Sequence, residues 1–304
     1  MKTALITGAT GFVGRNLVHM LHDAKVHVYA LVRDAAKAES IIGLDDRIEI
    51  IQCSLEDIES LPRRVPLLDD GVFYHLAWNG GTNGTDLDLY SQNENVLMGL
   101  RCMEAASKVG CSKFIGIGSV LDLTASQVLE RSVTHPSATY AVVKDYLNKM
   151  LKLYSERLGI DYVWCRLSGV YGPNDRTMNL ISYAVQELLS GRSPIVSEGS
   201  QWYSFVHVED CARALYHVGD KHVSGISSCF IGGNEVMRVR EFLSVVQETI
   251  APHVKIEFGG RPDDGVVYDR RWFDLSSLQK FGYQPCVAFE EGIVEVRKAL
   301  SGSN

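Results

Sequence analysis

The chain has 304 residues, 46% hydrophobic and 22% charged, a composition that supplies a sizeable core and excludes a disordered, collagenous or disulfide-stapled protein. Thirty Lys and Arg stand against thirty-seven Asp and Glu, a net charge of −7, so no global positive field invites a nucleic-acid backbone or an anionic bilayer. Seven cysteines without a C-x-x-C pair and nine histidines without ligand spacing predict structural thiols in a reducing compartment and no metal site.

The chain opens on the apolar run Ala4-Leu5-Ile6 with no basic leader, and no stretch approaches the roughly 18 apolar residues of a membrane span, so a cytoplasmic protein is expected. A strand over 3–7 runs into Thr7-Gly8-Ala9-Thr10-Gly11-Phe12-Val13-Gly14 and a helix over 11–22, which leaves His19 and His22 three apart on partly exposed surface. Glycines at this turn let the main chain approach a pyrophosphate, and the helix start offers unpaired N–H groups and a positive dipole. The second strand, 26–32, ends Leu31-Val32-Arg33-Asp34. Arg33 suits the 2′-phosphate of NADP, whereas Asp34 suits the ribose hydroxyls of NAD; NADP(H) is favoured over NAD(H).

Strands over 48–52, 72–76, 113–117 and 161–167 alternate with helices over 88–109 and 137–158, the pattern of a parallel sheet covered by helices. Beyond residue 168 the pattern loosens into a helix over 179–190, a run over 203–208, a helix over 209–218 and mixed elements. The expected fold is α/β: a doubly wound parallel Rossmann sheet over 1–168, with 205–223 returning to it, and a smaller C-terminal α/β substrate lobe over 169–304.

Tyr140 and Lys144 stand at i and i+4 at the start of a helix, so phenol and ammonium share one face, and the cation is expected to draw the tyrosine pKa down from about 10. Y-x-x-x-K alone is common on amphipathic helices. Ser119 gives it weight: it closes the strand Phe114-Ile115-Gly116-Ile117-Gly118 at the carboxyl end of the sheet, where open α/β folds bind ligands.

With Gly8, Gly11, Gly14, Ser119, Tyr140 and Lys144 in this order, the chain resembles the extended short-chain dehydrogenase/reductases, specifically the NAD(P)-dependent sugar-nucleotide epimerase, dehydratase and reductase family, over nearly its whole length. His75-Leu76-Ala77, Asn95-Val96 with Gly99, the run Arg166-Leu167-Ser168-Gly169-Val170-Tyr171-Gly172-Pro173, and Phe205-Val206-His207-Val208-Glu209-Asp210 support the likeness. The resemblance implies Tyr140 as acid/base, Lys144 on the nicotinamide ribose and Ser119 on the substrate oxygen. It implies a cofactor lined by Gly8, Thr10, Gly11, Phe12, Val13, Gly14, Arg33, Ser54, Leu55, Leu76, Ala77, Trp78, Asn95, Ile117, Tyr140, Lys144, Leu167, Ser168 and Val170. Trp78, Ser119, Asn179, Tyr203 and Arg261 are its implied substrate contacts, with the loop over 80–84 beside them. It further implies a homodimer joined through the helix pair 88–109 and 137–158.

Two positions depart from the family pattern: Ser54 stands where relatives place an aspartate that reads adenine, and Tyr203-Ser204 where many carry Arg-Asp. Val120-Leu121 follow Ser119 where the family's 4,6-dehydratases carry Asp-Glu, and neither side chain can transfer a proton. Residues 78–94 and 261–267 look closest to reductases of nucleotide-linked 4-keto-6-deoxyhexoses. The expected reaction is thus NADPH-dependent reduction of a keto group with Tyr140 as proton donor. The alternatives are an NAD-dependent nucleotide-sugar 4-epimerase, a reductase of a non-sugar carbonyl, and a non-catalytic dinucleotide sensor. A sensor would tolerate loss of Tyr140, which an enzyme would not.

Overall fold

A computed structural model describes residues 1–80, 88–130, 137–175, 177, 179–263 and 265–301. Strands β1 (Thr3–Thr7), β2 (His27–Val32), β3 (Ile48–Gln52), β4 (Gly71–His75), β5 (Cys111–Ser119) and β6 (Asp161–Leu167) all run parallel. Parallel neighbours need crossovers, and α1 (Phe12–Asp23), α2 (Ala35–Ile42), α3 (Leu89–Lys108), α4 (Ala125–Glu130) and α5 (Ala138–Leu158) occupy them. With β10 (Ser228–Ile231) at its edge, the strand order is β3-β2-β1-β4-β5-β6-β10, seven strands in all. It reverses direction between β1 and β4, which opens a crevice at the carboxyl ends of those two strands.

Both faces of the sheet are covered, which is why its strands read as continuous apolar runs rather than alternating ones. Leu17, Val18 and Leu21 of α1 fill one face and Met103, Leu147 and Leu151 of α3 and α5 the other. No described helix is long and apolar enough to cross a membrane.

The remaining chain forms β7 (Gly169–Tyr171), α6 (Leu180–Leu189), β8 (Trp202–Tyr203), β9 (Phe205–His207), α7 (Val208–Asp220), β10 (Ser228–Ile231), β11 (Met237–Arg238), α8 (Val239–Ile250), α9 (Ser276–Lys280) and α10 (Phe289–Ser301). Phe205, Phe242, Phe289 and the inward faces of α6, α8 and α10 make a separate apolar core. Cys211, Leu215 and Val218 of α7 return to the α1 face of the main sheet. The β10 strand, hidden in the loosened pattern, extends that sheet beside β6. Lys113 is buried and donates to the carbonyls of Val218, Gly219 and Lys221 at 3.1, 3.5 and 2.7 Å, so a cation closes the electronegative end of α7. At the other end, buried Asp210 accepts the Tyr283 hydroxyl and the main-chain N–H groups of Cys286 and Val287, the latter two at 2.9 and 2.8 Å. Six of the cysteines are buried free thiols, while Cys286 is exposed.

Candidate active site

The crevice is a cleft of about 720 Å³. Its floor explains the glycines. Gly8 adopts φ +71°, and a Cβ there would lie 2.8 Å from the Ala77 nitrogen across the sheet's switch point. A Cβ at Gly14 would come 2.1 Å from the Gly8 carbonyl oxygen, so α1 packs on the turn at a distance only glycine permits. Gly11 caps α1 without a side-chain bond to its first N–H groups, which leaves the positive end of the helix to the cleft. This bare cradle fits the pyrophosphate of a dinucleotide. Thr10, Phe12, Val13, Leu55, Leu76 and Ala77 line the same space.

The structure separates the two candidates at the end of β2. Arg33 lines the cleft. Asp34 instead caps α2, its carboxylate accepting the Lys37 N–H at 3.0 Å. Ser54 does not line the cleft; it bonds Glu56, which does. The Glu56 carboxyl is held below its usual range by its own main-chain N–H, then by Ser54, with Arg33 adding to the effect.

At the far end, Ser119 closes β5 opposite Leu167 of β6. Its hydroxyl accepts the Leu121 N–H at 3.2 Å and is hydrogen-bonded to the Tyr140 phenol. One helical turn on, Lys144 is buried, donates to the Ile117 carbonyl at 2.7 Å and lies 3.6 Å from the centre of the Trp78 ring. Burial pulls the Lys144 ammonium down to about 7, against an upward pull from the Asp122 charge. The phenol departs from the expectation drawn from Lys144. Burial raises the Tyr140 pKa, Asp122 adds to the rise, and the Ser119 hydrogen bond opposes it; desolvation of the anion outweighs the neighbouring donors. Tyr140 therefore rests as a protonated acid.

Trp78 meets the Tyr140 ring edge-on at 5.7 Å. Its indole N–H donates to Gln92 at 3.1 Å. Asn95 does not reach the cleft. It is buried behind Trp78, accepting the Asn79 N–H at 2.9 Å and donating to the Asn79 carbonyl at 3.0 Å, so its side chain clips the loop that carries Trp78. His75, below it, is hydrogen-bonded to Thr7 at 2.9 Å and drops to about 3 because it is buried and faces Lys144.

On the opposite wall stand Leu167, Ser168, Val170 and Asn179, while Ile117 of β5 lines the sheet side beside Ser119. Ser168 is tied to the Ser204 carbonyl. Asn179 caps α6 through the Ser182 N–H and donates to the Val170 carbonyl at 3.1 Å and to Asp175 at 2.7 Å, so its amide braces the wall. Tyr203 and Arg261 are not brought to the cleft. Tyr203 packs among Phe205, Tyr268 and Phe273, where burial raises its phenol to about 12. Arg261 is exposed and stacks on the Tyr183 ring at 5.0 Å. Gly80 lines the cleft; residues 81–84 of the expected substrate loop lie outside the described residues.

Gln92 and Asp122 carry no signal in the motifs. Gly116 and Gly118, alternate residues on one face of β5, are the available clue to Asp122, because a large side chain must lie against that bare face. It is Trp164, whose indole N–H donates to Asp122 at 2.7 Å.

Comparison with known proteins adds a family and a fold. The model of the NAD dependent epimerase/dehydratase family matches residues 4–231. CDP-abequose synthase of Salmonella typhimurium is 25% identical over 305 residues, 97% of each chain. The UDP-N-acetylglucosamine 4-epimerase of Methanobrevibacter ruminantium M1, solved with UDP-N-acetylmuramic acid, superposes with a TM-score of 0.81 at 20% identity over 100% of this chain and 99% of its own. The UDP-glucuronic acid 4-epimerase of Bacillus cereus, solved with UDP-glucuronic acid and NAD, gives 0.77 at 22% identity over 99% and 100%. These two likenesses speak to the fold.

Proposed function

The chain belongs to the NAD dependent epimerase/dehydratase family and is an enzyme of NAD(P)-dependent oxidoreductase type; from that premise we propose that it uses NADPH to reduce the keto group of a nucleotide-linked 4-keto-6-deoxyhexose. The observation that carries the choice of NADPH is the division of labour after β2, where Arg33 lines the cleft and Asp34 is spent on capping α2. A guanidinium there suits a 2′-phosphate, and the Asp34 carboxylate that would oppose it is engaged elsewhere. An exchangeable NADPH goes with one-way reduction rather than with a retained dinucleotide.

Bound NADPH supplies the hydrogen and two electrons to the ketone carbon. Ser119 orients the carbonyl oxygen, and Tyr140, kept protonated by burial, gives its proton to that oxygen as negative charge builds there. Lys144, one turn behind, stabilises the phenolate left on Tyr140. Asn179, Ser168 and Trp78 shape the space around the sugar. The carrier nucleotide and the sugar's remaining stereochemistry are read by the C-terminal wall.

A homodimer accompanies this reading. Tyr90 and Leu97 on α3 and Tyr146 and Leu153 on α5 are exposed, and each pair is spaced seven residues apart on helices that pack together. Such an apolar face suits a second copy of the same pair. Leu97→Glu with Leu153→Glu should yield a monomer in sedimentation.

The test of the activity is to mix the protein with NADPH or NADH and CDP-, dTDP-, GDP- and UDP-linked 4-keto-6-deoxyhexoses and follow dihydronicotinamide absorbance. Consumption of NADPH supports the reading. Interconversion of nucleotide sugars with no net change in absorbance would replace it with 4-epimerisation, and consumption with non-sugar carbonyls alone would remove the sugar from it.

A further inference from the structure

The structure assigns Asp122 as a positioning residue of this site: from the turn behind Ser119 its carboxylate orients the Trp164 indole and, through it, sustains Lys144 as a cation. The assignment rests on the reading of Lys144 as the stabiliser of the Tyr140 phenolate.

Asp122 has no solvent exposure; it accepts the Trp164 indole N–H at 2.7 Å and the Arg166 guanidinium at 2.6 Å. The indole is pressed against the β5 main chain. A Cβ at Gly116 would lie 2.6 Å from the Trp164 ring, and one at Gly118 would lie 2.3 Å from its nitrogen and 2.8 Å from an Asp122 oxygen. The two glycines before Ser119 therefore exist to admit the Trp164–Asp122 pair. Above it, the Lys144 ammonium lies 5.7 Å from the Trp164 ring centre, 3.6 Å from Trp78 and 5.6 Å from Tyr140, with one hydrogen bond to the Ile117 carbonyl.

An ammonium this dehydrated favours loss of its proton. Three π faces and one carbonyl hold it in place, but a formal negative charge is what resists deprotonation, and Asp122 supplies it. A carboxylate that accepts the indole N–H also enriches the ring in electrons, which strengthens its hold on the cation. The charged or titratable groups around Lys144 are His75 of β4, kept neutral by burial, Tyr140 of its own helix, and Asp122 with its partner Arg166 of β6. Asp145 of α5 and Tyr162 of β6 lie within the field of Asp122. Asp122 also sits in the short helical turn Val120–Thr124 that Ser119 caps, so its anchorage fixes the serine hydroxyl as well.

The test reads the ammonium directly. Apo protein carrying ¹³Cε-lysine is titrated by NMR, with the Lys144 signal assigned by its loss in Lys144→Met. The wild-type midpoint is expected at about 7. Asp122→Asn, which keeps the shape and removes the charge, should lower it by about one pH unit, and Trp164→Phe, which cuts the link, should move it the same way. The alkaline limb of turnover should follow, costing about tenfold in kcat/KM above that midpoint. An unmoved or raised midpoint in Asp122→Asn overturns the assignment, whatever happens to the Tm; should that variant not fold, an unmoved midpoint in Trp164→Phe overturns it instead. Absence of turnover with every keto-sugar would sink the reductase reading while leaving this midpoint comparison intact.

Discussion

The two walls of the cleft are built by different means. The cofactor wall hangs on the central sheet: Gly8, Ala77, Ile117 and Ser119 occupy the carboxyl ends of strands whose register is set by main-chain hydrogen bonds. The C-terminal wall hangs on side chains. Behind its lining, β8 and β11 are two residues long, and Trp202, Tyr203, Tyr268 and Phe273, none of which lines the cleft, hold the backing segment through ring contacts against Val120 and Leu121. A wall held by main chain keeps its atoms in place when side chains change, whereas one held by packing can be re-cut to a new substrate without disturbing the chemistry.

This contrast is open to breakage. Tyr140→Phe should show the largest effect, a loss of about 10²–10⁴ in kcat with dinucleotide binding retained, because only the proposed proton donor is removed; titration of NADPH by fluorescence separates the two. Gly14→Ala should abolish dinucleotide binding and lower stability by about 1–3 kcal/mol in denaturant melts, since the new methyl must push main chain and not a pliable side chain. Arg33→Ala should weaken NADPH by about tenfold or more and leave NADH alone, the cost of one charge-assisted contact. A variant that lost both equally would dissolve the distinction between Arg33 and Asp34.

A smaller, pH-dependent effect comes from the buried bases beneath the cofactor wall. The folded pKa of His75, about 3, lies below its unfolded value of 6.5, so the unfolded chain binds the extra proton and stability falls as pH drops through that window. Lys144 has the same sign: with a folded value of about 7 it makes the apo protein more stable as pH rises from there towards 10.5. Urea melts from pH 4 to 10 measure both, and His75→Asn should flatten only the acid side. Least affected should be Tyr203→Phe, within about 0.5 kcal/mol in stability and with kcat unchanged, because its ring packs among Phe205, Tyr268 and Phe273 and does not line the cleft. A large loss of kcat there would place the C-terminal wall inside the chemistry and end the contrast between the two.

The central sheet is legible in the order of amino acids because its signals are local. Apolar runs of strand length, helical spacing between them and glycines at one turn are each set by a few neighbouring residues, and together they locate the switch point, Ser119, Tyr140 and Lys144. Short elements such as α2 and β10 leave too few residues to show a period, and α2 is capped by an aspartate that suits a ribose equally well.

The family's implied contacts divide according to how they are held. Positions at strand ends line the cleft, while Asn95, Tyr203 and Arg261 do not, since partners elsewhere in the chain claim their side chains, and Ser54 does not, its hydroxyl being turned to nearby Glu56. What the amino-acid order determined unaided was thus the layered sheet and the placing of Ser119, Tyr140 and Lys144 at its edge, because main-chain geometry carries short-range pattern straight into position. Tertiary structure alone decided that Asp122 would reach Trp164 and Arg166 across 42 and 44 residues, and that Gln127 would pin Val267 across 140. Such contacts depend on how remote segments pack, and nothing in the local spacing of either partner encodes them.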